Sequence, residues 1–97
     1  MKQKESVCLV EDFMSGIRVS KYMPVLVLFG CTCSLNTLQR LSKRFTSIKV
    51  WLDADKLDNA RKIAQNAAML GLKTQVIYTT KDPKNNTNPE IKEILNG

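Results

Sequence analysis

The chemistry open to this chain is set by where its acids fall. Six of its nine carboxylates follow apolar runs that read as strands. Glu11 and Asp12 come after Val7–Val10, Asp53, Asp55 and Asp58 after Ile48–Leu52, and Asp82 after Thr74–Tyr78. Carboxylates gathered on one edge repel each other, which is costly unless a cation sits among them or their pKa values rise. The spacing Asp53-Ala54-Asp55, read as extended chain leaving a strand, turns both carboxylates to the same side. Ligands that are all oxygen favour Mg²⁺, with Mn²⁺ as a substitute, and such a site keeps waters that a phosphate can replace. The plain alternative is that acids suit helix N-termini. That reading fits Asp12 and Asp58 taken singly better than it fits Glu11, Asp53 and Asp55 taken together.

Other chemistries are excluded by composition. The chain has no histidine, which removes Ser/His/Asp triads, His-based proton transfer and His-ligated metals. Its three cysteines, Cys8, Cys31 and Cys33, form no C-x-x-C, so neither a disulfide framework nor a four-ligand zinc site is expected, and the cofactor reading is magnesium without zinc. The longest apolar run, Met23–Phe29, falls well short of the roughly 20 residues of a membrane span, and Val7–Val10 is too short for a signal-peptide core. A cytoplasmic, reducing compartment is expected, with no membrane partner. The net charge of +6, from fifteen Lys and Arg against nine acids, points to a polyanionic partner such as nucleic acid. Arg40, Lys43, Arg44, Arg61 and Lys62, with Lys49, Lys56, Lys73 and Lys84 adding charge elsewhere, are the candidates for a phosphate-contacting stripe. No aromatic residues interleave with them to stack bases, and Tyr22, Trp51 and Tyr78 read as packing residues.

The elements that must position the acids follow from periodicity. Val7–Val10, Val25–Phe29, Ile48–Leu52 and Thr74–Tyr78 read as strands, the first two apolar throughout as in central strands covered on both faces. Helical spacing fills the intervals. Phe13, Met14 and Ile17 share one face of the first helix. Leu35, Leu38 and Leu41 share a face of the second, with Ser34 as N-cap. The third runs from about Leu57 to Leu70 on a close-packing face of Ala60, Ile63, Ala64, Ala67 and Ala68, and Gly71 stops it. A last helix starts with Asn88 as N-cap and Pro89 as its first residue, turning Ile91, Ile94 and Leu95 inward. The alternation β-α-β-α-β-α-β-α predicts one α/β domain over residues 1–97, small and Rossmann-like, with a four-stranded parallel sheet flanked by helices. Ligands of such sheets bind outside the carboxyl ends of the strands, where the acids are.

These pieces resemble the TOPRIM fold shared by DnaG-type primases, topoisomerases and some nucleases. The resemblance lies in Leu9-Val-Glu-Asp-Phe-Met-Ser-Gly16, Phe29-Gly-Cys-Thr-Cys-Ser34, Trp51-Leu-Asp-Ala-Asp-Lys56 and Tyr78-Thr-Thr-Lys-Asp-Pro83. The last is similar to the Lys-Asp-Pro segment of bacterial and phage primases. The resemblance implies that Glu11 is the catalytic acid/base, that Asp53 and Asp55 are the metal-binding pair, and that Asp82 is a further acid at the metal. It also implies close backbone approach at Gly30 and a phosphate contact at Lys81. The function it implies is Mg²⁺-dependent, two-metal nucleotidyl transfer, as in primer synthesis, with a nucleic-acid template, nucleoside triphosphates, and helicase or other primase domains as partners.

The chain departs from the family pattern at two places. Asp12 stands where the glycine after the glutamate is usual, with Ser15 in place of an acid four residues on. Leu57-Asp58 replaces the Ala-Gly that commonly follows Asp-x-Asp. A nuclease-type TOPRIM protein and a non-catalytic nucleic-acid-binding module on the same fold are the alternatives. A phosphoacceptor receiver domain fits less well, because it needs five strands and its hydroxyl residue and lysine on separate ones.

Overall fold

The computed structural model describes residues 5–29, 33–79 and 83–96. Strands and helices alternate as β1 (Ser6–Val10), α1 (Phe13–Ser20), β2 (Val25–Val27), α2 (Leu35–Arg44), β3 (Ser47–Trp51), α3 (Leu57–Met69), β4 (Lys73–Val76) and α4 (Asn88–Asn96). Single turns of 3₁₀ helix, Ala54–Lys56 and Pro83–Asn85, precede α3 and α4. All pairings are parallel and the strand order is β2-β1-β3-β4. The expected α/β architecture, a four-stranded parallel sheet flanked by helices, is the observed one.

Burial follows the strand alternation. Val7 and Leu9 of β1 and Ile48 and Val50 of β3 face Leu38 of α2 and Ala60, Ile63 and Ala67 of α3. Cys8 and Val10 of β1 and Trp51 of β3 face the other way, toward Val19 of α1 and Ile91 and Leu95 of α4. The central strands are therefore β1 and β3. The apolar second strand, expected to be central, is an edge, and its three residues are only half-buried. Five apolar residues in a row satisfy a strand covered on both faces, but they do not say which neighbours it has.

Three local expectations are corrected. The face of α1 that carries Phe13, Met14 and Ile17 is exposed, and the helix packs through Ser15, Gly16 and Val19. Leu35, expected to share the buried face of α2, is likewise exposed, while Leu38 is fully buried. The cap of α4 is Thr87 rather than Asn88. The Thr87 N–H donates to Glu90 Oε1 at 2.8 Å and the Glu90 N–H donates to Thr87 Oγ1 at 3.3 Å, a reciprocal capping box that releases the Asn88 side chain for other bonding. Gly71 ends α3 as expected, at φ 88°, with the Leu72 N–H reaching back to the Ala67 carbonyl.

Candidate functional site

The register fixes which residues share the carboxyl edge of the sheet. Val10 lies level with Val27 on one side and Trp51 on the other, and Val50 lies level with Val76. The ladder continues one step, with the Leu28 N–H donating to the Val10 carbonyl and the Ile77 N–H donating to the Val50 carbonyl, both at 2.9 Å. Counting on, Glu11 is level with Leu28, Leu52 and Tyr78, and the next rank holds Asp12, Phe29, Asp53 and Thr79. The two central strands thus end in Glu11 and Asp53, both half-buried, with Asp53 Oδ1 shielded from solvent. Successive ranks alternate between the two faces of a sheet, so by register Glu11 continues the side of Leu9 and Leu52 while Asp53 continues that of Val10 and Trp51, and a cation shared by both would have to sit over the strand ends.

The remaining acids do other things. Asp12 is the N-cap of α1: its Oδ1 accepts the Ser15 N–H at 2.8 Å and its Oδ2 pairs with Lys84 Nζ at 2.6 Å. Partial burial raises its pKa, but the Lys84 ammonium and the Ser15 N–H outweigh that and hold it below the usual carboxylate value. Asp55 does not stand beside Asp53 on extended chain. It lies within the 3₁₀ turn Ala54–Lys56 and is exposed. A 3₁₀ turn rotates side chains by about 120° per residue, so the same-side argument for an Asp-x-Asp pair lapses once the chain bends directly after Asp53. Asp58 sits in the first turn of α3, as the helix-terminus reading required. Among the described residues no group of three or more Cys, Asp or Glu is placed to hold a metal ion. Gly30, Lys81 and Asp82 lie outside the described residues.

The cysteines offer no nucleophile among the described residues. Burial pushes the Cys8 thiol up to about 12 despite Lys49 nearby, and burial also raises that of Cys33. Trp51 is packing, as expected: it is fully buried and its Nε1–H donates to Thr79 Oγ1 at 3.0 Å. Tyr78 is not packing. It is 61 % exposed at the carboxyl edge, as are Phe29 at 68 % and Phe13 at 58 %. Reading these three as apolar strand or helix residues missed them, and only the alternation running out at a strand end signals that such a side chain leaves the core.

No family model matches the chain, and no curated protein matches it. Among solved structures, the fold is similar to the crystal structure of the Aquifex aeolicus primase (zinc-binding and RNA polymerase domains), with a TM-score of 0.82 at 18% sequence identity. The match covers 95% of this chain and 25% of that one, so the chain spans about a quarter of the primase's length. The likeness shows that the chain shares its fold with part of that protein. It also corrects the expectation of a protein without zinc: the protein with this fold is described by a zinc-binding domain beside its RNA polymerase domains, so zinc is not excluded by the missing histidines and C-x-x-C of this chain. No helix among the described residues is long and apolar enough to cross a membrane.

Proposed function

We propose that residues 1–97 form a TOPRIM domain whose carboxyl edge carries out divalent-cation-dependent nucleotidyl or phosphoryl transfer on nucleic acid, as in the synthesis of a primer. One observation carries the reading: Glu11 and Asp53 end the two central, adjacent strands of a primase-like sheet, in a chain of net charge +6. A cation drawn to Asp53 would supply charge neutralisation for a reacting phosphate. Glu11, on the neighbouring strand, holds or accepts the proton of the attacking hydroxyl. Gly30, Lys81 and Asp82 complete the site in this reading, with Lys81 meeting a phosphate and Asp82 adding a carboxylate. Nucleoside triphosphates and a nucleic-acid template are the substrates, and further primase domains or a helicase supply surfaces beyond these 97 residues.

A non-catalytic nucleic-acid-binding module is the second reading. It is favoured by Asp12 being tied to Lys84 and by Asp55 standing apart on its turn, which leaves fewer carboxylates for metal than the family pattern has. Calorimetric titration of Mg²⁺, Mn²⁺ and Zn²⁺, each alone, into wild type, Asp53→Asn and Asp55→Asn separates the two. The catalytic reading expects at least one cation to bind, about tenfold or more weaker in Asp53→Asn and within about threefold of wild type in Asp55→Asn. Equal affinities in wild type and Asp53→Asn would sink the metal site and leave the binding module.

A further inference from the structure

Among the described residues, exposed aromatic rings bracket the acidic edge. Of the six aromatic residues, Trp51 is fully buried and Phe45 packs on the core. Tyr22 donates its hydroxyl to the Asn88 carbonyl at 3.3 Å. The other three, Phe13, Phe29 and Tyr78, are each more than half exposed and each follows the end of a strand. Phe29 lies two residues past β2 and Tyr78 two residues past β4, so rings leave the two edge strands while carboxylates leave the two central ones. Three interstrand steps separate β2 from β4, about 14 Å, with Glu11 and Asp53 between them. Phe13 directly follows Asp12 at the start of α1.

Phe29 holds this position against its own preference. Its φ is 52°, the left-handed region, where a bulky side chain is an outlier, and among the described residues no other non-glycine residue has positive φ. Strain of this kind persists where surrounding structure imposes it and concentrates at ligand clamps. Here it sets a large apolar ring in water rather than in the core.

We infer that Phe29 and Tyr78 are stacking platforms for unpaired nucleobases, with Phe13 as a third, and that the strand's backbone passes between them over Glu11 and Asp53. This rests on the nucleic-acid reading above. Stacking suits the composition of the site, because every base has a π face and rings discriminate little among sequences. It also selects for single strands, since paired bases are already stacked on their neighbours. The net charge of +6 favours the same polyanionic partner.

The test is the affinity of the 97-residue chain for a fluorescent 12-nucleotide single strand and for the matching duplex, by anisotropy in Mg²⁺ and again in EDTA, binding in either condition counting as binding. Phe29→Asn is the informative variant, because asparagine tolerates the left-handed backbone but has no ring. The expected result is single-strand binding about 5- to 100-fold weaker in Phe29→Asn and in Tyr78→Ala. Tyr78→Trp should bind as wild type, duplex binding should stay the same in all three, and the melting temperature of Phe29→Asn should be unchanged or higher. Wild-type affinity for the single strand in both ring-deleted variants would overturn the stacking role while leaving nucleic-acid binding in place. Failure of wild type to bind either oligonucleotide would overturn the nucleic-acid reading and this inference together.

Discussion

Asp12 shows how an acid at a strand end can be structural. Its two oxygens are divided between the Ser15 N–H and Lys84, which ties α1 to the 3₁₀ turn before α4. A carboxylate whose pKa is depressed by folding stabilises the fold above its unfolded value, about 3.9, and loses that contribution as pH falls through the lower folded value. Asp12→Asn keeps a good N-cap and removes only the charge. The melting temperature of wild type should therefore exceed that of Asp12→Asn by a constant margin from pH 7 to about 5, with the margin shrinking as pH falls below about 4. Both partners are about a third exposed, at 34% and 35%, so the margin corresponds to less than about 1 kcal/mol. A margin that does not shrink as pH falls below about 4 would mean the substitution acts through the cap and not through the ion pair.

At the scale of elements, α1 illustrates a helix whose apolar stripe is not its packing face. It meets β2 through Gly16, where an added Cβ would lie 2.6 Å from Val27 Cγ2. Valine is stiff at χ1, so that methyl cannot swing away cheaply. Gly16→Ala gains about 1 kcal/mol of helix propensity, yet overpacking costs about 1–3 kcal/mol. The expected outcome is a protein less stable by about 1 kcal/mol in chemical denaturation; a more stable variant would show that α1 can shift along the sheet. The periodic stripe Phe13, Met14 and Ile17 was visible in the sequence, but the sequence carried no sign that the smaller face would win. The decision came from β2 being an edge strand, where a close approach by the helix backbone covers more of the sheet than long side chains at greater distance would. The 3₁₀ turn after Asp53 is a similar case, since the spacing of two aspartates does not reveal where the chain bends.

Across the whole molecule the charge is lopsided. On one face of the sheet, α2 carries Arg40, Lys43 and Arg44 with no acid, and α3 carries Arg61 and Lys62 against Asp58. On the other face, α1 and α4 carry Arg18 and Lys92 against Glu90 and Glu93, and Arg18 is engaged by the Asn86 carbonyl at 2.7 Å and Asn88 Oδ1 at 3.0 Å. Five of the fifteen cations, against the single acid Asp58, therefore lie on the α2–α3 layer, which runs about 15 Å from the amino to the carboxyl edge of the sheet. If this layer contacts phosphates, replacing Arg40, Lys43 and Arg44 by Gln should lower the slope of log K against log salt for single-strand binding by about 2. If Lys43 and Arg44 serve only the C-terminal end of the α2 dipole, the same variant should melt lower with an unchanged slope.

The sequence by itself determined the class of fold. Alternating apolar runs and helical periods, with Ser34 as a start signal and Gly71 as a stop signal, require a parallel sheet between helices, because the run lengths and the crossovers admit little else. It also placed Glu11 and Asp53 at strand ends, since a carboxylate cannot continue a fully buried strand. Tertiary structure decided the rest. Strand order, set by which pairings bury the most surface, made β1 and β3 central and so brought Glu11 and Asp53 onto adjacent strands. Local turn geometry moved Asp55 away and gave Asp12 to Lys84. The same order left β2 and β4 as edges with less to cover them, which is why Phe29 and Tyr78, apolar letters in a strand pattern, stand in solvent beside the acids.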